Sequence, residues 1–213
     1  MEPSTPGDWS RPSNRRASSR TPSGSGGWVD PDTSPVTVIK FELLADLEDQ
    51  PGRSTVGFQQ SQRLGAINLR GTGFAARDLG AHTFSAPIDG LANEVDVKVT
   101  GLAGFLLAKT AAAQSRRKTK DWYDIAFVLL HNDQGGPTQA CNAVRAAFGD
   151  ELVGGIRTAL DDLRANFHPD AQGPRAFAEQ MTLDHPELDS KTLQADAHLA
   201  VEEFHGVLFQ APP

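Results

Sequence analysis

Between Val97 and Asn132 the chain reads VKVTGLAGFLLAKTAAAQSRRKTKDWYDIAFVLLHN, and its densest charge lies here. Lys109 is followed by the run Arg116, Arg117, Lys118 and Lys120, and then by two carboxylates three positions apart, Asp121 and Asp124. A local basic turn of this kind can hold a phosphate even in an acidic protein. The same residues also have a plainer reading. Lys and Arg in the last turn of one helix complement the negative end of its dipole, and Asp121 and Asp124 fit the first turn of the next, where amides and dipole favour negative charge.

Two helices must position these groups. Leu102 to Ala113 carries Phe105, Leu106, Ala108, Ala112 and Ala113 near helical spacing and no proline, which predicts an amphipathic helix with a small-residue face and Lys109 within it. A second helix opens at Lys120 or Asp121. In it Tyr123, Phe127 and Leu130 form one apolar row, broadened by Trp122, Ile125, Ala126 and Leu129.

The order apolar strand, apolar helix with a lysine, basic turn, then Lys120-Asp121-Trp122-Tyr123-Asp124-Ile125 resembles the second half of the AbiEii-type nucleotidyltransferases. These are the toxin partners of type IV toxin–antitoxin and phage-abortive systems. The resemblance is carried by Val97 to Asn132 and extends more thinly over Val36 to His131. It implies a protein that transfers a nucleotide from a nucleoside triphosphate to an RNA or protein acceptor with Mg2+. On that reading Lys109 and Asp121 are catalytic, Asp121 orienting a basic neighbour or acting as a base, and Arg116, Lys118 and Lys120 contact phosphates. Tyr123 and Asp124 are structural, Asp124 bracing the turn. Glu42, on the strand corresponding in order to the family's third carboxylate, would be a metal ligand.

The family's Gly-Ser turn and following Asp-x-Asp strand are not found. Gly71-Thr72-Gly73 leads to Asp78 without a second carboxylate two residues on, and Glu94-Val95-Asp96 has no Gly-Ser turn before it. The chain is therefore expected to be an N-terminally truncated relative, incomplete or inactive in transfer. The alternative is a non-catalytic interaction protein that docks a partner such as an antitoxin through its helical half.

Composition sets further bounds. The 213 residues carry a net charge of −7 and 38% apolar content, enough for one or two domains. A pI near 5.3 argues against a general nucleic-acid coat protein. No run approaches the roughly 18 apolar residues of a membrane span, and no signal-peptide core is seen. Cys141 stands alone, excluding a disulfide framework and pointing to a reducing, cytoplasmic setting. The six histidines, among them His198 and His205 seven apart on one helix, make no HExxH, and Cys141 reads as a small buried hydrophobe.

Taken in order, residues 1–35 are rich in Ser, Pro, Gly and Arg and are expected to be disordered. Val36 to Leu44 reads as a strand, Arg63 to Leu79 as a helix interrupted by two glycines, and His82 to Ile88 and Val95 to Val99 as further strands. The strands are expected to join in one small mixed sheet. Helices are expected over Thr138 to Phe148, Glu151 to Asn166, Ala176 to Met181 and Thr192 to Phe209. The fold class is therefore α+β: a nucleotidyltransferase-like part over 36–100, then a helical bundle over 101–213.

Overall fold

Alternation of β-branched residues with polar ones gives way to helical periodicity near residue 100, and the structure follows that change. A computed structural model describes residues 25–30, 37–58, 61–88 and 91–210. The strands are β1 (Ser25–Asp30), β2 (Thr37–Glu42), β3 (Leu44–Ala45), β4 (Thr55–Phe58) and β5 (Ser61–Asn68), then, after the short helix α1 (Gly73–Arg77), β6 (Leu79–Ile88) and β7 (Leu91–Thr100). Six helices complete the order: α2 (Leu102–Arg116), α3 (Thr119–His131), α4 (Pro137–Phe148), α5 (Gly154–Asn166), α6 (Gln172–Asp184) and α7 (Ser190–Phe209). The protein is α+β, strands first and helices after.

Contacts divide the chain into two units, residues 1–44 with 53–68, and residues 45–52 with 69–213. In the first, β1 pairs antiparallel with β2, Trp28 opposite Ile39 and Val29 opposite Val38. Ser25–Asp30 thus forms a strand inside the stretch expected to be disordered; the rest of 1–35 lies outside the described residues. Two other expectations are corrected. The strands form three separate sheets, β1-β2, β3-β5-β4 and β6-β7, and β2 does not join the later hairpin. Within the expected helix Arg63 to Leu79, residues up to Asn68 are strand, antiparallel to β4, and only Gly73–Arg77 is helical. At Gly65 a Cβ would lie 2.8 Å from Thr55 Cγ2, so the glycine that weakens a helix here admits the neighbouring strand.

The second unit is built on helices. Leu106, Leu107, Ile125, Leu129, Val144, Leu160, Phe167, Phe177, Val201 and Phe204 are fully buried in it, each such side chain contributing about 1.5–3 kcal/mol. On α3 the deep residues are Trp122, Ile125, Ala126 and Leu129, while Phe127 is exposed and Tyr123 half-buried. The row expected to lead that face is its rim. Cys141 is buried, as expected, and burial pushes its thiol pKa up.

Helix ends are tied by side chains distant in sequence. Asp78 Oδ2 accepts from the Gly104 N–H at 2.8 Å, capping α2, and Asp46 Oδ2 accepts from the Gly73 N–H at 2.8 Å, capping α1. A Cβ at Gly104 would lie 2.7 Å from the Phe74 carbonyl, so the GLAG segment allows α2 to seat under this carboxylate. Asn132 closes α3: its Nδ2 donates to the carbonyls of Val128, Leu129 and Gly136, and its Oδ1 accepts from Gln134 N–H. Among the described residues no helix is long and apolar enough to cross a membrane.

Candidate functional site

The candidate residues meet because the connection between α2 and α3 is short. α2 ends at Arg116, Arg117 turns left-handed at φ 53° with its N–H on the Ala113 carbonyl, and Lys118 is the extended N-cap residue of α3. Lys109 and Arg116, seven residues apart, share one face of α2, and Asp121 and Asp124 share the facing side of the first turns of α3.

Asp121 is the centre. Its side chain is 3% exposed, although aspartate is among the residues least often buried. Arg116 grips it through two bonds, Nη2 to Oδ1 at 2.6 Å and Nε to Oδ2 at 3.1 Å, the fork geometry that makes guanidinium–carboxylate pairs strong. Lys109 Nζ donates to Asp121 Oδ1 at 3.2 Å and to Asp124 Oδ2 at 2.6 Å, bridging both carboxylates. Lys120 Nζ reaches Asp124 Oδ1 at 3.0 Å. Burying a carboxylate alone would cost several kcal/mol, and these contacts offset that cost.

The plainer reading holds in part: Asp121 lies in the first turn of α3 and Arg116 in the last turn of α2, while Asp124 lies one turn further on. Neither aspartate makes a side-chain cap bond; Asp121 lies third in α3, and its N–H donates to the Lys118 carbonyl at 3.0 Å. Asp121 still gains from the positive end of the helix dipole.

Of the expected site residues, Lys109, Arg116, Lys120, Asp121 and Asp124 converge. Lys118 is exposed and enters through its backbone alone in the bonds just described, because a lysine at the N-cap has no side-chain acceptor for the free amides of the turn. Tyr123 stacks on Phe177 at 5.9 Å and contacts Phe127 at 5.7 Å, a packing role. Glu42 is exposed at the end of β2, in the other unit. The cluster sits on two helices, and a cavity of about 170 Å³ lies elsewhere, lined by Arg145 to Glu151.

Two contacts of the site were missed. Arg117 pairs with Asp162 of α5 at 2.8 Å, tying the turn to a third helix, and Phe105 lies under the Lys109 ammonium at 5.9 Å. Phe105 was readable as the residue four before Lys109; Asp162 left no local signal.

Magnesium needs near-octahedral oxygen ligation. Here all four carboxylate oxygens of Asp121 and Asp124 are engaged by cationic donors, two of them by two donor atoms each, and among the described residues no three His, Cys, Asp or Glu side chains gather as a ligand set. The residues of this cluster do not fit the ion.

No protein-family model matches the chain, and no curated protein or solved structure shows significant similarity to it.

Proposed function

We propose that this chain is an AbiEii-like, nucleotidyltransferase-related protein whose α2–α3 cluster binds the phosphates of a nucleoside triphosphate, and that it does not transfer nucleotide as it stands. The observation that carries the reading is the convergence of Lys109, Arg116 and Lys120 on Asp121 and Asp124, the residue types and order of the resembled motif. Three cations against two carboxylates leave a formal excess of one positive charge, 3 − 2 = +1, and Lys120 is 77% exposed beside it. A phosphate would draw Lys109 from Asp124 while Arg116 keeps Asp121 in place. Nothing in the cluster supplies the metal that phosphoryl transfer to an RNA or protein acceptor relies on. A cytoplasmic location, where nucleoside triphosphates are abundant, belongs to the same proposal.

A second reading rests on a specific observation: every cation in the cluster already has a carboxylate partner. On that reading the network is a pin holding α2 to α3, and the protein acts by docking a partner such as an antitoxin through its helices.

One experiment separates them. Thermal unfolding of wild type and Lys109→Ala is followed with and without nucleoside triphosphate. A phosphate site gives a wild-type shift, about 2.7 kcal/mol at 100 times the dissociation constant, which Lys109→Ala loses. Equal shifts in both, or none in wild type, leave the pin. Labelling of RNA or protein by the purified chain with magnesium and a labelled triphosphate is expected to be absent, and robust labelling would overturn the inactive reading.

A further inference from the structure

The β6–β7 hairpin has two unlike faces. The cross-strand pairs Phe84↔Val95, His82↔Val97 and Gly80↔Val99 line one, and on it Phe84 and Val95 are more than half exposed, Val97 and Val99 more than a third. The pairs Thr83↔Asp96 and Ser85↔Glu94 line the other. There Thr83 Oγ1 donates to Asp96 Oδ1 at 2.7 Å and Ser85 Oγ to Glu94 Oε1 at 3.4 Å. The sheet has two strands, so the outer edge of β7 along Val95–Val99 meets no further strand among the described residues. An open edge with an apolar face invites pairing.

The side chains along that edge specify a partner. Val95-Asp96-Val97-Lys98-Val99 is self-complementary when read against itself antiparallel about Val97. Val95 then faces Val99 of the second strand, Val97 faces Val97, and Asp96 faces Lys98 on both sides of the axis. Moving the axis to Lys98 sets Lys98 on Lys98, and moving it to Asp96 sets Asp96 on Asp96 and Val99 on Asn93, although Lys98 then faces Glu94; directly opposed like charges destabilise a sheet, and only the axis at Val97 keeps every valine on a valine. A slip to the odd register puts valines against charges. The edge of β6 offers no such match, since Ala81, His82 and Thr83 hold no acid–base pair.

We propose that β7 pairs with β7 of a second copy of this chain across a two-fold axis at Val97, making a four-stranded antiparallel sheet from two hairpins. The apolar face exposes four large side chains, Phe84, Val95, Val97 and Val99, few beside the roughly 20–30 residues a side of a standard interface. Stacking of faces alone therefore does not hold two copies. Main-chain bonds along the edge, Val–Val contacts and two Asp96–Lys98 pairs supply the rest, by the strand-addition mode of recognition. The resulting dimer is weak and concentration-dependent.

The test is sedimentation equilibrium of the full chain over a wide concentration range. Wild type is expected to show a monomer–dimer equilibrium. Asp96→Lys alone, or Lys98→Asp alone, sets like charges across the axis and is expected to raise the dissociation constant about tenfold or more. The double variant Asp96→Lys/Lys98→Asp restores the wild-type value, and an equimolar mixture of the two single variants forms the heterodimer. In wild type, amide exchange of Val95–Val99 slows as concentration rises, a readout that needs no variant. A monomer at every concentration, a dimer indifferent to the single reversals, or single variants that fail to pair when mixed would each overturn the proposal.

Discussion

The α2–α3 pair and the β6–β7 hairpin are each two elements joined by two residues, 117 and 118 in one and 89 and 90 in the other. They end in opposite states. The helix pair buries Leu106, Leu107, Ile125 and Leu129 and carries a carboxylate inside a closed network of cations. Side chains of the hairpin from Ala92 to Val99 are all exposed, and a two-stranded ribbon on its own is marginal in water. Local pairing thus suffices to draw both motifs, but only one has a core beneath it. The difference places most of the unit's stability in the helices and leaves the hairpin to be stabilised from outside.

The largest effect expected from this contrast is at the network. Arg116→Ala removes the bidentate partner of a carboxylate that stays buried, and breaking such a pair costs about 3–5 kcal/mol. Lys109 remains within 3.2 Å of Asp121, which keeps the loss toward the lower end. Urea unfolding of Arg116→Ala, Asp121→Ala and the double variant measures the coupling. If the double variant costs the sum of the singles, the network is not a unit.

Next comes the comparison of apolar residues. Leu129→Ala empties a fully buried site and is expected to cost about 2–5 kcal/mol, whereas Phe84→Ala, more than half exposed, should stay within about 0.5 kcal/mol. Matched unfolding midpoints of the two variants would show that the hairpin is covered in solution and that the contrast is false. Hydrogen exchange refines the point: at low protein concentration, amides of Leu106–Thr110 should exchange only through near-global unfolding, those of Val95–Val99 through local opening. Equal protection would join the hairpin to the helical core.

Much of this was legible in the sequence alone. The breaks Gly135-Gly136-Pro137, Gly149-Asp150, His168-Pro169 and His185-Pro186 separate the helices because glycine and proline end a helix for local reasons, whereas Gly173-Pro174, which also reads as a break, lies in the first turn of α6, where proline is tolerated. Convergence of Lys109 and Arg116 on the aspartates follows from heptad spacing plus a short turn. What stayed hidden depends on distant partners. Nothing near Asp78 says that it caps α2, and nothing near Asp162 says that it holds Arg117. Arg63 to Asn68 has helix formers in Arg63 and Leu64, yet pairing with β4 overrides that propensity. His198 and His205, seven apart on one helix, are held by the Phe167 carbonyl and by Asp161, contacts that no spacing rule within α7 contains.

That α5–α7 seam yields the smallest expected effect, and it extends the comparison to charges paired at the surface. Burial pushes the Asp161 carboxyl up, but hydrogen bonds from His205 at 2.8 Å and Arg157 at 3.0 Å outweigh it and hold the pKa below the usual aspartate value. The bidentate Arg164 hydrogen bonds hold Glu202 below the usual glutamate value. A depressed folded-state pKa contributes stability that is fully present above the unfolded-chain values, roughly 3.9 for Asp and 4.3 for Glu, and is lost as pH falls through the folded values. Melting temperature should therefore fall on acidification below about pH 4, and Asp161→Asn and Glu202→Gln should each flatten part of that fall by lowering melting slightly at neutral pH, where the wild-type contribution is present, and leaving it near the wild-type value in acid, where that contribution is lost. Both carboxylates face solvent, so screening keeps the effect below those at Arg116 and Leu129, and added salt should shrink it further. Acid limbs that superimpose for wild type and both variants would assign the acid sensitivity to other carboxylates and leave the α5–α7 seam held by its apolar contacts alone.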